Sequence, residues 1–315
     1  MATRFEIILD GEDPVALRAA AEEALDEIQR LESKLSLYRA DSEIAHVNAR
    51  AGSESVRVSP ELFRLLAQAR QLYAETLGAF DITVGPLMKL WGFMGAQGVV
   101  PAPEDLEKAR ERVGMDKLSL DPDSFSVRFL KPGLLIDLGS IGKGYAIERA
   151  AELLREAGIT SALLHGGTST SYAIGSSAAA ADQSIAGPSH EPWKVAIERP
   201  PLGGGTSSLL AVVPLRDAAL SVSAVWGKSF TAGESTYGHV IDPRTGAPCD
   251  KTLLAAVSVE SPTESDALST ALLVLGSEGH KLIARLRPNA RTVTFLRSES
   301  GDVLVESSRL QLHSS

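Results

Sequence analysis

Lys143 stands among three glycines in DLGSIGKG, residues 137–144, where a turn opens into a helical pattern. Free amides at a helix start and its positive end suit a phosphate, and glycines let one approach closely. The spacing is neither that of a P-loop, because Gly144 follows the lysine, nor GxGxxG. Taken alone it reads equally as a ligand site or a structural turn. A second candidate is PTESDALSTALLVLG, from Pro262, where Asp266 and Thr270 stand four apart. That spacing puts their oxygens on one helix face, able to share a hard cation. Thr263 and Asp266 also fit a capping box, with Thr270 an ordinary half-buried residue, and on spacing alone the cap is the simpler reading. The third is HVIDPRTGAP, residues 239–248. Pro243 and Gly246 define a turn that presents His239 rigidly, as a binding or acid/base group requires. The same turn serves as plain architecture, with Asp242 and Arg244 pairing locally. The aromatic-rich FDITVGPLMKLWGF, residues 80–93, reads as core.

The elements that must position these residues follow from periodicity. Residues 4–9 predict a strand and residues 15–37 a helix, with apolar positions at Leu17, Ala21, Leu25, Ile28 and Leu31. A helix from Pro60 has Ser59 as its N-cap and Gly78 as its stop, and delivers the chain into GAFDITVGP. A helix near 103–113, short strands around Leu118, Val127 and Leu135, and a helix ending near Ala157 follow. Further strands are predicted at 193–197, 209–214, 218–222 and 254–259, then a helix from Thr263, one more helix and two strands. Small, polar, aperiodic stretches predict surface loops at 176–192 and 201–208. Without regular βαβ alternation, repeats or a clean linker, the pattern predicts α+β: a single domain over residues 1–315, with mixed, largely antiparallel sheets and flanking helices.

Composition narrows the function. Thirty-one basic against 40 acidic residues give a net charge of −9, which argues against nucleic acid held by phosphate contacts. An anionic dinucleotide would need a metal ion or local donors to offset that field. The single cysteine, Cys249, makes neither an internal disulfide nor a cysteine metal site. No export signal is visible at the N-terminus, and no apolar run approaches the roughly 20 residues of a membrane span. The expectation is a cytoplasmic protein as written, periplasmic or membrane-associated if a leader was removed.

Six blocks in order, SLYRADSEIAHVN from Ser36, GAFDITVGPLMKLWGF from Gly78, IDLGSIGKGYAIE from Ile136, LLHGGTS from Leu163, HVIDPRTGAP from His239 and SDALSTALLVLG from Ser265, resemble the signatures of the ApbE family of FAD-dependent protein flavinyltransferases. They span about residues 36–276. The resemblance implies a Mg-dependent transfer of FMN from FAD to a Thr or Ser hydroxyl of an acceptor protein, releasing AMP. Alternatives within the same site are an FAD pyrophosphatase giving FMN and AMP, or a noncatalytic FAD-binding protein. It implies Tyr38 against the isoalloxazine and Ala79, Phe80 and Asp81 along the dinucleotide. Gly139, Lys143 and Tyr145 of the glycine turn lie along it too, with Val240 and His239 closing the site. Mg would be held by Asp266, Thr270 and the carbonyl of Gly142, with that of Ser269 a further candidate, which favours the cation reading over the cap. His239 and Asp266 are the implied candidates for deprotonating the acceptor. Three positions depart from the family pattern: VSAV at 222–225, Thr168 after the paired glycines, and Glu148 in place of an aspartate. The first and second remove polar or acidic groups near the expected pocket, and the third conserves charge.

Overall fold

The computed structural model describes residues 3–95, 97–177, 191–199, 208–233, 235–298 and 302–312. The expected loops at 176–192 and 201–208 lie almost wholly outside the described residues. Strand β1 (Phe5–Leu9) leads into helix α1 (Pro14–Leu35), which Asp13 starts by accepting from the amides of Val15 and Ala16. Next come α2 (Glu43–Arg50), β2 (Val56–Arg57) and α3 (Pro60–Glu75). Ser59 caps α3 as expected, accepting from Leu62, and Gly78 takes φ 78° with its amide on the Tyr73 carbonyl, stopping the helix. Then follow α4 (Gly85–Leu90), α5 (Pro103–Arg110), β3 (Leu118–Asp121), β4 (Ser126–Phe129) and α6 (Gly142–Glu156).

The second half supplies most of the strands: β5 (Ala162–Gly166), β6 (Thr170–Ile174), β7 (Trp193–Glu198), β8 (Leu209–Leu215), β9 (Ala218–Ala224), β10 (Ser229–Ala232), β11 (Ser235–Gly238) and β12 (Thr252–Val259). Helices α7 (Pro262–Leu275) and α8 (Ser277–Leu286) and strands β13 (Arg291–Arg297) and β14 (Val303–Ser308) complete the described chain. A seven-stranded sheet runs β1-β5-β6-β9-β12-β13-β14, with every neighbouring pair antiparallel. Small sheets β2-β4-β3, β7-β8 and β10-β11 are antiparallel too. The fold is α+β, as the pattern predicts.

Strand β12 shows how the layers are made. All of its residues are buried, so it lacks the polar face of a solvated antiparallel strand. Ala255, Val257 and Val259 face the core formed with α1, α6 and α7, while Leu254 and Ala256 face a second core beneath β7 and β8. Side chains alternate at period 2, so one strand serves both cores. Helices α6 and α7 thereby lie side by side on one face of the sheet, N-termini together. That juxtaposition builds the site.

Several short elements escape the periodicity. Helices α2 and α4 are 8 and 6 residues long, too short for an amphipathic pattern to declare itself. The strand expected around Leu135 is instead a single parallel bridge between Leu135 and Val84. Its neighbour Ile136 has its backbone bonds with a side chain: Asn48 of α2 accepts from the Ile136 amide at 2.8 Å and donates to its carbonyl at 2.9 Å. The hairpin β10–β11 is held by aromatic packing. Phe230 and Tyr237 stack at 5.3 Å and both lie against Trp91, whose Nε1 donates to the Gly246 carbonyl.

Candidate active site

The α7 helix begins on Ser261, whose hydroxyl accepts from the Glu264 amide. Ser261 and Glu264 thus have the capping-box spacing, and Glu148 of α6 accepts from Ser261 Oγ and from the amide and hydroxyl of Thr263. The Thr263–Asp266 cap expected as an alternative is therefore not the one formed. With the helix start satisfied elsewhere, Asp266 is released from local duty.

Its carboxylate turns to the neighbouring helix. Asp266 is 4% exposed, and its Oδ2 accepts from the Gly144 amide of α6 at 3.0 Å. Its Oδ1 accepts from Thr170 Oγ1 at 3.4 Å and lies 3.7 Å from Lys143 Nζ. A carboxylate at the positive end of α6, beside an ammonium, has the compensation a buried charge requires. Part of the glycine turn's amide set is used within the protein. The Gly142 amide is spent on the Leu138 carbonyl and the Gly144 amide on Asp266. Lys143 Nζ also donates to the Gly139 carbonyl at 3.0 Å.

Gly144 is required by this contact. A Cβ at that position would meet the Pro262 carbonyl oxygen at 2.2 Å and Asp266 Cβ at 2.8 Å. Gly144→Ala is expected to push α6 from α7 and destabilise the protein by on the order of 3 kcal/mol. A melting temperature within about 2 °C of the parent would refute so tight an approach.

Further hydroxyls gather around this residue, with those of Ser269 and Thr270 donating to the Asp266 backbone carbonyl at 2.9 and 3.4 Å. Ser221 donates to Thr170 Oγ1 at 3.3 Å, and Ser223 lies 2.8 Å from Ser269 Oγ and 3.2 Å from Thr270 Oγ1. Ser223 belongs to the divergent 222–225 stretch, which therefore still places a polar group in the site. Thr168 is exposed in the β5–β6 turn, two residues before Thr170. Every donor here is a hard oxygen, the chemistry that suits Mg²⁺. Among the described residues no group of three or more His, Cys, Asp or Glu side chains is placed to hold a metal ion. An ion held here would have Asp266 as its one carboxylate and complete its shell from hydroxyl, carbonyl, water and phosphate oxygens, as Mg²⁺ commonly does.

His239 approaches from the base of the β10–β11 hairpin. Its amide and its Nδ1 both lie on the Lys228 carbonyl, at 3.0 and 3.2 Å. A carbonyl has no proton to give, so Nδ1 carries the hydrogen and Nε2 keeps its lone pair. Burial lowers the His239 pKa, and the charges of Lys228 and Lys143 lower it further against the opposing pull of the Lys228 carbonyl and Asp137. The ring is thus neutral at pH 7. Asp137 is half-buried, accepts from the Gly139 amide at 2.8 Å, and has its pKa raised by burial despite Lys228, Lys143 and His239. Lys228 Nζ sits 5.8 Å from the centroid of the exposed Tyr38 ring.

The remaining expected residues divide. Asp81 is buried, accepts from the Thr83 amide and hydroxyl at 2.7 Å, and burial pushes its pKa up to about 6. It lines a cleft of about 240 Å³ with Tyr73, Gly78, Arg110, Pro243 and Arg244, next to the 239–248 turn. The Asp242–Arg244 pair forms there, at 2.8 and 2.9 Å. The Asp137 amide donates to the Ile82 carbonyl at 2.7 Å, tying the 78–83 segment to the glycine turn. Ala79 and Phe80 have side chains fully enclosed in the core, so only their backbone is available to a ligand. Val240 packs on the main core, and its carbonyl accepts from Cys249. Tyr145 is not brought to the cluster by its hydroxyl: it feels Glu61, Arg149, Glu152 and Arg30, on the side of α1 and α3, and burial pushes its pKa up to about 12. Thr170, Ser221, Ser223, Asp137 and Lys228 carry no role in the sequence reading. Only Asp137 and Ser223 lay within stretches singled out there.

Comparison with known proteins gives a consistent picture. The model of the ApbE family matches residues 1–294. The FAD:protein FMN transferase of Haemophilus influenzae is 31% identical over 307 residues, covering 94% of this chain and 85% of that protein. That of Treponema pallidum is 34% identical over 269 residues, covering 83% and 73%. The apo form of the Pseudomonas stutzeri flavinyl transferase ApbE superposes with a TM-score of 0.80 at 28% identity, over 97% of this chain and 91% of that one. The Thermotoga maritima ApbE protein does so with a TM-score of 0.80 at 27% identity, over 96% of each.

Proposed function

This chain belongs to the ApbE family, and we propose that it is an FAD:protein FMN transferase that moves FMN from FAD to a Thr or Ser hydroxyl of an acceptor protein, releasing AMP. The observation that carries the reading is the buried Asp266 carboxylate beside Lys143 and a cluster of hydroxyls, with a neutral His239 within reach of the Lys143 charge.

The acceptor oxygen attacks the phosphorus of the FMN half, forming a new P–O bond. The bond from that phosphorus to the bridging oxygen breaks, and AMP leaves with the bridging oxygen and its electron pair. The hydroxyl proton passes to His239 Nε2, which the Lys228 carbonyl keeps unprotonated and aimed by holding Nδ1–H. Protonation makes the ring an imidazolium, a state the neighbouring Asp137 charge favours. Lys143 places a positive charge where phosphate oxygens gather charge in the transition state. Asp266, Thr270, Ser269 and the Gly142 carbonyl would hold Mg²⁺. When bound, the ion supplies neutralisation of the diphosphate, which an acidic protein of net charge −9 needs. Tyr38 offers an exposed ring for the isoalloxazine, and Asp81 lines a cleft beside the 239–248 turn that would take a further part of the dinucleotide.

Among the described residues no helix is long and apolar enough to cross a membrane. The test of the reading is to incubate the full chain with FAD, with and without Mg²⁺, and a Thr-containing acceptor peptide, following AMP and covalent flavin together. AMP release that tracks attached flavin is the expected result. AMP without attachment across several acceptors would make the protein an FAD pyrophosphatase, and FAD binding without AMP a flavin binder.

A further inference from the structure

The β10–β11 hairpin ends on two residues that face the site, Lys228 before it and His239 after it. Aromatic packing fixes its body: Phe230 lies against Trp91 and Phe93, and a Cβ on Gly98 would meet the Phe230 ring at 2.2 Å. The base of the hairpin is thus held in place, while the Lys228 side chain extends from it on a flexible stem. Its ammonium rests above the Tyr38 ring at 5.8 Å from the centroid, and its charge reaches both Asp137 and His239. Among the described residues no carboxylate oxygen lies within 4.0 Å of that ammonium. Lys143, by contrast, is committed to Asp266 and to the Gly139 carbonyl.

We propose that Lys228 is a ligand-binding residue of this site, and that its anionic partner is the diphosphate of the dinucleotide. The inference rests on the reading that the site takes FAD. An exposed cation over an aromatic face is weakly held. A flat ring system stacking on Tyr38 takes the face the ammonium occupies, so the ammonium must leave. The anion that arrives with that ring is the diphosphate, and the glycine turn bearing Asp137 and Lys143 is where the phosphates approach. A lysine is a compact point charge on a mobile stem, suited to such an exchange. The chain thereby gains a cation that no internal carboxylate has neutralised.

The experiment uses the full chain and measures affinities for FAD and for riboflavin, which lacks phosphate, by flavin fluorescence at two salt concentrations. Lys228→Gln is expected to weaken FAD about tenfold, the loss of one charge-assisted contact, with riboflavin unchanged and the salt dependence of FAD binding flatter. Lys228→Arg should restore FAD affinity to within about threefold, because the charge is kept. A second readout is the acid limb of the turnover–pH profile. It should move to higher pH in Lys228→Gln and stay in place in Lys228→Arg, because Lys228 and Lys143 depress the His239 pKa while Asp137 and the Lys228 carbonyl raise it. FAD affinity within twofold of the parent in Lys228→Gln would overturn the proposal, as would equal losses of FAD and riboflavin. If the parent itself binds neither flavin, the functional reading fails first and this inference with it.

Discussion

Asp266→Asn will lower flavin transfer by about a thousandfold or more while the protein still folds. The magnitude follows from the several kcal/mol of transition-state charge stabilisation that a bound metal supplies, each 1.4 kcal/mol being tenfold in rate. Asp266 is the one carboxylate among the hydroxyls of Thr170, Ser221, Ser223, Ser269 and Thr270, so nothing in that ring can replace its charge. The fold survives because asparagine keeps an oxygen to accept from the Gly144 amide, which alanine would leave buried and unpaired at a cost of about 1–3 kcal/mol. Two measurements separate the effects. Turnover at saturating FAD should collapse, and the rise in melting temperature that Mg²⁺ gives the parent should vanish in the variant. A variant that keeps a tenth of the parent turnover would remove Asp266 from the chemistry. One that keeps the Mg²⁺-dependent stabilisation would remove it from the metal.

How far the site was legible depended on whether local sequence carried its logic. Asp266 and Thr270 were visible as a pair at helical spacing, but spacing could not decide between a cation and a cap. The Thr263–Asp266 cap is excluded by Ser261 and Glu148, one upstream on the same helix and the other on a different helix, which satisfy the helix start without Asp266. The glycine turn was visible as a helix entry, but the bond of its Gly144 amide to Asp266 is set by the packing of α6 on α7. Thr170 and Ser221 were invisible because a hydroxyl inside a buried strand has no periodic signature. Lys228 carries no local signature because it precedes a short hairpin whose body is packed by Phe230 and Tyr237 against Trp91. The fold class was readable because strand alternation and helix caps are local, as Ser59 and Gly78 show at the two ends of α3. The hairpin and helices α2 and α4 were not, because tertiary contacts define them.

Replacing His239 with glutamine will cost about 10²–10⁴-fold in turnover, the range a positioned general base contributes. FAD affinity should change only a few-fold, since the ring's polar contact is with the Lys228 carbonyl. Glutamine can still donate to that carbonyl, so the loop keeps its anchor while the lone pair on Nε2 is lost. The pH profile identifies the cause. Burial depresses the His239 pKa below the ordinary 6.5, so the parent carries a neutral ring above that pH and loses it only as pH falls further. Parent turnover should therefore be flat above about 6.5 and fall on the acid side through the lowered pKa of His239, a limb that the glutamine variant lacks. The same sign holds for stability. The unfolded chain binds a proton at His239 before the folded one does, so the contribution of this residue is complete above about 6.5 and declines as pH falls. If His239→Gln retains more than a tenth of the parent rate and keeps the acid limb, the proton goes elsewhere, and Asp266 becomes the base. An equal loss of turnover in both variants, with the limb gone only in His239→Gln, would assign the charge to one residue and the proton to the other.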